Sequence, residues 1–88
     1  MSRSKRSPFQ RKDAVSKFLA LGLTERETEV LLWIAQGKGN YEIAVILGAA
    51  VGTVRKHVER ILRKLKVENR TAAAAIVFVT LNQIADFF

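Results

Sequence analysis

Apolar positions recur every three or four residues in short blocks along the first half of the chain, and the blocks end at or near glycines. Ala14, Val15, Phe18, Leu19 and Leu21 repeat in this way, which predicts a short leading helix from Asp13 to Leu21, stopped by Gly22. Thr24 followed by Glu27 has the spacing of a capping box, in which each side chain satisfies a backbone amide of the first turn. In the helix that follows, Val30, Leu31 and Ile34 form an inward stripe with Glu27 at its exposed end. Trp33 belongs at the core edge or over a neighbouring helix, and Gly37 ends the element. Asn40 reads as the N-cap of a two-turn third helix that buries Ile43, Ala44 and Leu47 and stops at Gly48.

The second half carries two longer patterns of opposite kinds. From Val51 to Leu65, the residues Val51, Val54, Val58, Ile61, Leu62 and Leu65 fall within one arc of roughly 100° on a helical wheel. Lys56, Glu59, Arg60, Arg63 and Lys64 lie opposite them, so the fourth helix has a sharply defined inner face. Asn69 then caps a last helix reaching about Asp86, in which Ala72 to Val79, Leu81, Ile84 and Ala85 leave hardly any polar side. One side must cover this domain's own core. The other needs a second cover, for which a twin subunit is the simplest source, with Ala74, Val77, Phe78 and Leu81 as its interface. No β-alternating segment interrupts the series, and the fold class is all-α.

Charge divides the 88 residues further. The net charge is +7, from 15 Lys and Arg against 8 Asp and Glu, with a pI of about 10.4. Residues 1–12 hold five basic groups and no acid, and residues 50–70 hold seven basic and two acidic groups. Residues 13–49 are slightly acidic, with three basic and five acidic groups. Residues 1–12 therefore read as a flexible basic arm, which suits non-specific phosphate binding, and 13–88 as the folded domain. A hydrophobic fraction of 49% supports one modest core, and so much positive charge on a folded body favours a polyanionic partner. There is no cysteine, so disulfides and thiolate metal sites are excluded. Arg11, Lys12 and Asp13 interrupt any secretion signal, and the longest apolar run, Ala72 to Val79, is too short to span a bilayer. A cytoplasmic, nucleoid-associated protein without a membrane partner is the expectation.

The third and fourth helices meet the demands of a helix-turn-helix. Ala44 is small where the helices cross, Gly48 tolerates a positive φ in the turn, and Ile43, Leu47, Val54 and Val58 supply apolar anchors. Around this core stand Leu23-Thr24-Glu25-Arg26-Glu27, Gly37-Lys38-Gly39-Asn40, Glu42-Ile43-Ala44, Leu47-Gly48, Thr53-Val54, His57, Ile61, Lys64-Leu65 and Asn69-Arg70. With these motifs the chain resembles the LuxR-type helix-turn-helix domain found in LuxR, FixJ and GerE regulators, over roughly Leu21 to Ala75. The resemblance implies a four-helix domain, here with a short extra N-terminal helix. It also implies binding of double-stranded DNA as a homodimer, with the helix from about 51 to 65 in the major groove and the last helix as dimer contact.

By position, the resemblance assigns Arg55, Lys56 and, one turn on, Glu59 to base edges. Arg and Lys suit guanine O6 and N7, and Glu accepts from cytosine N4. It assigns Asn40, Tyr41, Thr53 and Lys64 to phosphates, and Lys38, Arg60 and Arg63 join them from their place near the same surface. The chain departs from the family pattern at Ala49 and Ala50, where a large aliphatic and then a Ser or Thr usually precede the groove helix. Loss of a hydroxyl N-cap costs about 1 kcal/mol and removes one phosphate ligand.

His57, the single histidine, borders the inner arc and reads as a partly buried packing residue with a backbone or phosphate contact. Gly37-Lys38-Gly39 is a turn, because a P-loop needs Ser or Thr directly after its lysine, where Gly39 stands. No nucleophile, base and orienting group stand at recognisable spacing, so an enzyme, a cofactor, a metal or a small-molecule ligand is not expected. The alternative reading is a protein-interaction module of the same fold that binds another regulator through its apolar last helix. No receiver or ligand-binding domain fits in these residues, so sensing would come from a partner or from control of amount.

Overall fold

The computed structural model describes residues 11–85, with side chains from Val15 to Asn82. The described residues form five helices and no strand: α1 (Arg11–Ala20), α2 (Glu25–Ala35), α3 (Asn40–Leu47), α4 (Val51–Leu65) and α5 (Arg70–Ala85). The fold class is thus the all-α one expected. α1 starts two residues before the expected boundary, so Arg11 and Lys12 are helical; residues 1–10 of the basic arm and the end of the last helix at Asp86 lie outside the described residues.

α2 lies at the centre, packed against α1, α4 and α5, while α3 rests on α4. Its capping box forms as the Thr24–Glu27 spacing requires: Glu27 N–H donates to Thr24 Oγ1 at 3.1 Å, and Thr24 N–H donates to Glu27 Oε1 at 3.0 Å. Glu27 is not at an exposed end of the stripe, however. It is 2% exposed, because Lys64 from the last turn of α4 reaches across to it. Among the described side chains of α1 Phe18 is fully buried and Val15 half-buried, while Leu19 and, just past the helix, Leu21 face outward.

The first four helices end alike, with an amide two or three residues beyond the helix bonded back to a carbonyl five residues earlier. The pairs are Leu23–Phe18, Lys38–Trp33, Ala49–Ala44 and Val67–Leu62. Three of these ends use a glycine in the left-handed region. The fourth uses Lys66, at φ 60°, which no sequence rule for helix ends singled out. α3 begins one residue away from the expected cap: Gly39 is the N-cap, its N–H donating to Glu42 Oε1 at 2.7 Å, and Asn40 is already helical. Asn69 caps α5 as expected, accepting from Ala72 N–H at 2.8 Å.

The inner arc of α4 is as the wheel drew it. Val54, Val58 and Ile61 are buried, and Val51, Leu62 and Leu65 pack against them. α5 contributes Ala73 and Val77 to the same core, and Val77 is 1% exposed. Val77 is therefore corrected from interface to core, since a side chain that its own domain encloses has no surface left for a partner. Ala74 and Leu81 are half-buried against the core as well. The apolar residues that α5 turns outward are Phe78, 54% exposed, and Val79, 56% exposed, with Thr71, Ala75 and Asn82 along the same stripe.

Candidate nucleic-acid interface

Gly48, at φ 66° and ψ 35°, ends α3 in the left-handed region, and within two residues the chain enters α4. Ala44 is buried where the two helices meet, and Ile43 and Val54 are sealed on either side of the contact. A side chain at position 48 would be strained whatever space surrounds it, which is why this turn falls on a glycine. The consequence for the surface is geometric. With Val54, Val58 and Ile61 pinned inward, the opposite face of α4 is left in solvent along its whole length.

That face holds Thr53, Arg55, Lys56, Glu59, Arg60 and Arg63, all exposed. Among the described residues the ion pairs are Arg26–Glu29, at 3.2 Å, and Lys64–Glu27, at 2.7 Å. The cations of Arg55, Lys56, Arg60 and Arg63 are in neither pair. The N-terminus of α4 has no side-chain cap. Ala50 occupies that position in extended conformation, φ −77° and ψ 147°, so the amides of the first turn are left to solvent or to an anion.

Beside α4, the start of α3 brings up Lys38 and Asn40, both half-buried, and Tyr41, 71% exposed. Asn40 Oδ1 accepts from Arg70 Nη1 at 2.7 Å, and the Lys38 carbonyl accepts from Arg70 Nη2 at 2.9 Å. Arg70 has no assigned role in the sequence reading. Its signal is its position: a cation in the first turn of a helix stands at the positive end of the dipole, where it is disfavoured unless something else holds it.

Lys64, expected at a phosphate, has its ammonium bonded to the buried Glu27 carboxylate at 2.7 Å while its side chain stays one-third exposed. Burial by itself raises the Glu27 pKa, but the Lys64 bond, the Thr24 amide and a smaller influence of His57 outweigh it and hold the carboxyl below its ordinary value. His57 is half-buried as expected, but its Nδ1 is enclosed without a hydrogen-bond partner, so the expected backbone contact is not made at that nitrogen.

Known proteins resemble this arrangement in sequence. The HTH-type transcriptional regulator y4qH of Sinorhizobium fredii is 44% identical over 62 residues, which cover 70% of this chain and 18% of that protein. The response regulator protein VraR of Staphylococcus aureus is 50% identical over 56 residues, covering 64% of this chain and 27% of VraR, and VraR of Staphylococcus epidermidis matches to the same extent. The match thus spans 18% to 27% of these relatives' length. The family described as bacterial regulatory proteins, luxR family, matches residues 21–77, from the end of α1 into α5. A helix-turn-helix of this geometry inside a match that covers most of the chain leads to one assignment: the chain belongs to the luxR family of bacterial regulatory proteins.

Proposed function

We propose that this domain binds double-stranded DNA sequence-specifically as a transcriptional regulator, with α4 in the major groove. The observation that carries the reading is the outer face of α4, the helix that follows the left-handed turn at Gly48, where four cations stand exposed and in no ion pair among the described residues. Arg55 and Lys56 meet base edges near the start of the helix, and Glu59, one turn on, takes a cytosine amino group. Lys38, Asn40, Tyr41, Thr53, Arg60 and Arg63 meet phosphates and fix the register, without carrying sequence information. Two copies related by a twofold axis join through the outward stripe of α5, in which Phe78 and Val79 are the large apolar members.

The test is selection of bound duplexes from a random pool, followed by titration of the winning duplex at several salt concentrations. A palindromic consensus is expected, since it mirrors a twofold dimer. Three phosphate-facing cations, Lys38, Arg60 and Arg63, give an expected slope of log affinity on log salt of about −2.7 per protomer. Replacing Arg55 and Lys56 by Ala should cost about 1–3 kcal/mol per base contact and relax preference at the bases they read. No enriched sequence together with a flat salt response would overturn the proposal. Such a result would favour the second reading, a protein-interaction module, for which the exposure of Phe78 and Val79 speaks.

A further inference from the structure

Five ties hold the turn that leads into α3. Lys38 N–H bonds the Trp33 carbonyl at 3.1 Å, Gly39 N–H bonds Glu42 Oε1 at 2.7 Å, and Ile43 N–H bonds the Gly39 carbonyl at 2.9 Å. These three are local, made within α2, the turn and α3. The other two come from Arg70, 32 and 30 residues further along, whose guanidinium spans the Lys38 carbonyl and Asn40 Oδ1. Arg70 opens α5, the helix with the outward apolar stripe. Its hydrogen bonds therefore join the base of α5 to the start of α3.

The direction of the Asn40 bond matters. An amide side chain has an accepting oxygen and a donating NH2, and a phosphate offers only acceptors. By engaging the oxygen, Arg70 fixes the Asn40 amide so that its NH2 end is the one left for an anion. The planar fork of a guanidinium suits this double contact, because it presents two N–H groups to two acceptors at once. A residue held at the unfavourable end of a helix dipole, with both arms on the turn beside the groove helix, is placed for what it holds.

We propose that Arg70 is a positioning residue for DNA binding: it orients Asn40 and the Lys38 turn towards phosphate and makes that edge move as one body with α5. The proposal rests on the DNA-binding reading above. The test compares the wild-type chain with Arg70→Ala, Arg70→Lys, Asn40→Ala and the double variant Arg70→Ala/Asn40→Ala. Affinity for the duplex selected from the random pool is measured by fluorescence anisotropy, at a temperature where circular dichroism shows each variant folded.

Arg70→Ala should weaken binding about tenfold, the scale of one charge-assisted hydrogen bond. Arg70→Lys should weaken it nearly as much, because an ammonium cannot span both acceptors. Once Arg70 is gone, Asn40→Ala should add little, so the double variant binds about as Arg70→Ala does. Full affinity in Arg70→Lys would show that any cation suffices there, and full additivity in the double variant would show that Arg70 does not act through Asn40; either overturns the proposal. So would the absence of any temperature at which circular dichroism shows both Arg70 variants folded, which would make the residue purely structural. A wild-type chain that binds no duplex at any salt concentration would instead overturn the DNA-binding reading itself.

Discussion

One oxygen of Glu27 accepts from the Thr24 backbone at 3.0 Å and from Lys64 at 2.7 Å, so a single carboxylate caps α2 and ties down the end of α4. Its pKa is depressed in the folded chain, so the stability it contributes is present above the ordinary carboxylate value of 4.5 and is lost as pH falls through the lower, folded value. Thermal melts should therefore lose stability in acid below about pH 4.5, and Glu27→Gln should flatten that acid limb. Lys64→Ala leaves a buried carboxylate with one partner fewer. It should cost about 1–2 kcal/mol, discounted because the ammonium is one-third exposed, while leaving the salt slope of DNA binding unchanged. Lys66 is the opposite case, a residue in a conformation that suits glycine. Lys66→Gly should raise stability by about 0.5–1 kcal/mol in a denaturant titration.

The elements differ in how firmly their patterns set their rotation. α4 alternates valine and isoleucine with charge so regularly that only one rotation buries the apolar set, and its outer face follows. α5 has almost no polar residue between Ala72 and Val79, so many rotations bury nearly equal apolar area, and its sequence states no phase. Of the expected interface residues Ala74, Val77, Phe78 and Leu81, Val77 is in the core, Ala74 and Leu81 are half-buried and Phe78 faces outward, on a stripe with Thr71, Ala75, Val79 and Asn82. Helix ends were legible wherever a glycine or a capping side chain marked them, and the start of α3 shifted by a residue because Glu42 bonds back to Gly39 N–H, leaving the Asn40 side chain to Arg70. The uncapped start of α4 is an element-scale weakness. Ala50 already has the extended backbone of an N-cap, so Ala50→Ser should stabilise the helix by about 1 kcal/mol, read as a higher melting temperature.

For the whole molecule, the arrangement separates two surfaces. α4 presents charge on one, α5 presents Phe78 and Val79 on another, and α2 lies between them as the shared core. The proposed dimer through α5 would leave α4 open to DNA, since the two surfaces share no residues. Phe78→Asp with Val79→Asp should therefore shift sedimentation towards monomer while leaving the helical circular dichroism signal intact, because neither side chain is in the core. Weakened DNA affinity in the same variant would follow from the loss of a second half-site, and a mass unchanged from wild type would locate the interface elsewhere.

The sequence by itself determined the five helices, the turn at Gly48 and the inner face of α4, because these depend on capping, backbone conformation and period, which are local. Its charge distribution already placed basic residues on the outer face of α4, where they are exposed. Only the tertiary structure decided which side of α5 is inside, that Glu27 is buried and claims Lys64, and that Arg70 holds Asn40. Those outcomes depend on which distant groups meet: an all-apolar helix takes its rotation from its neighbours, and a charged side chain takes its role from a partner some 30 residues away.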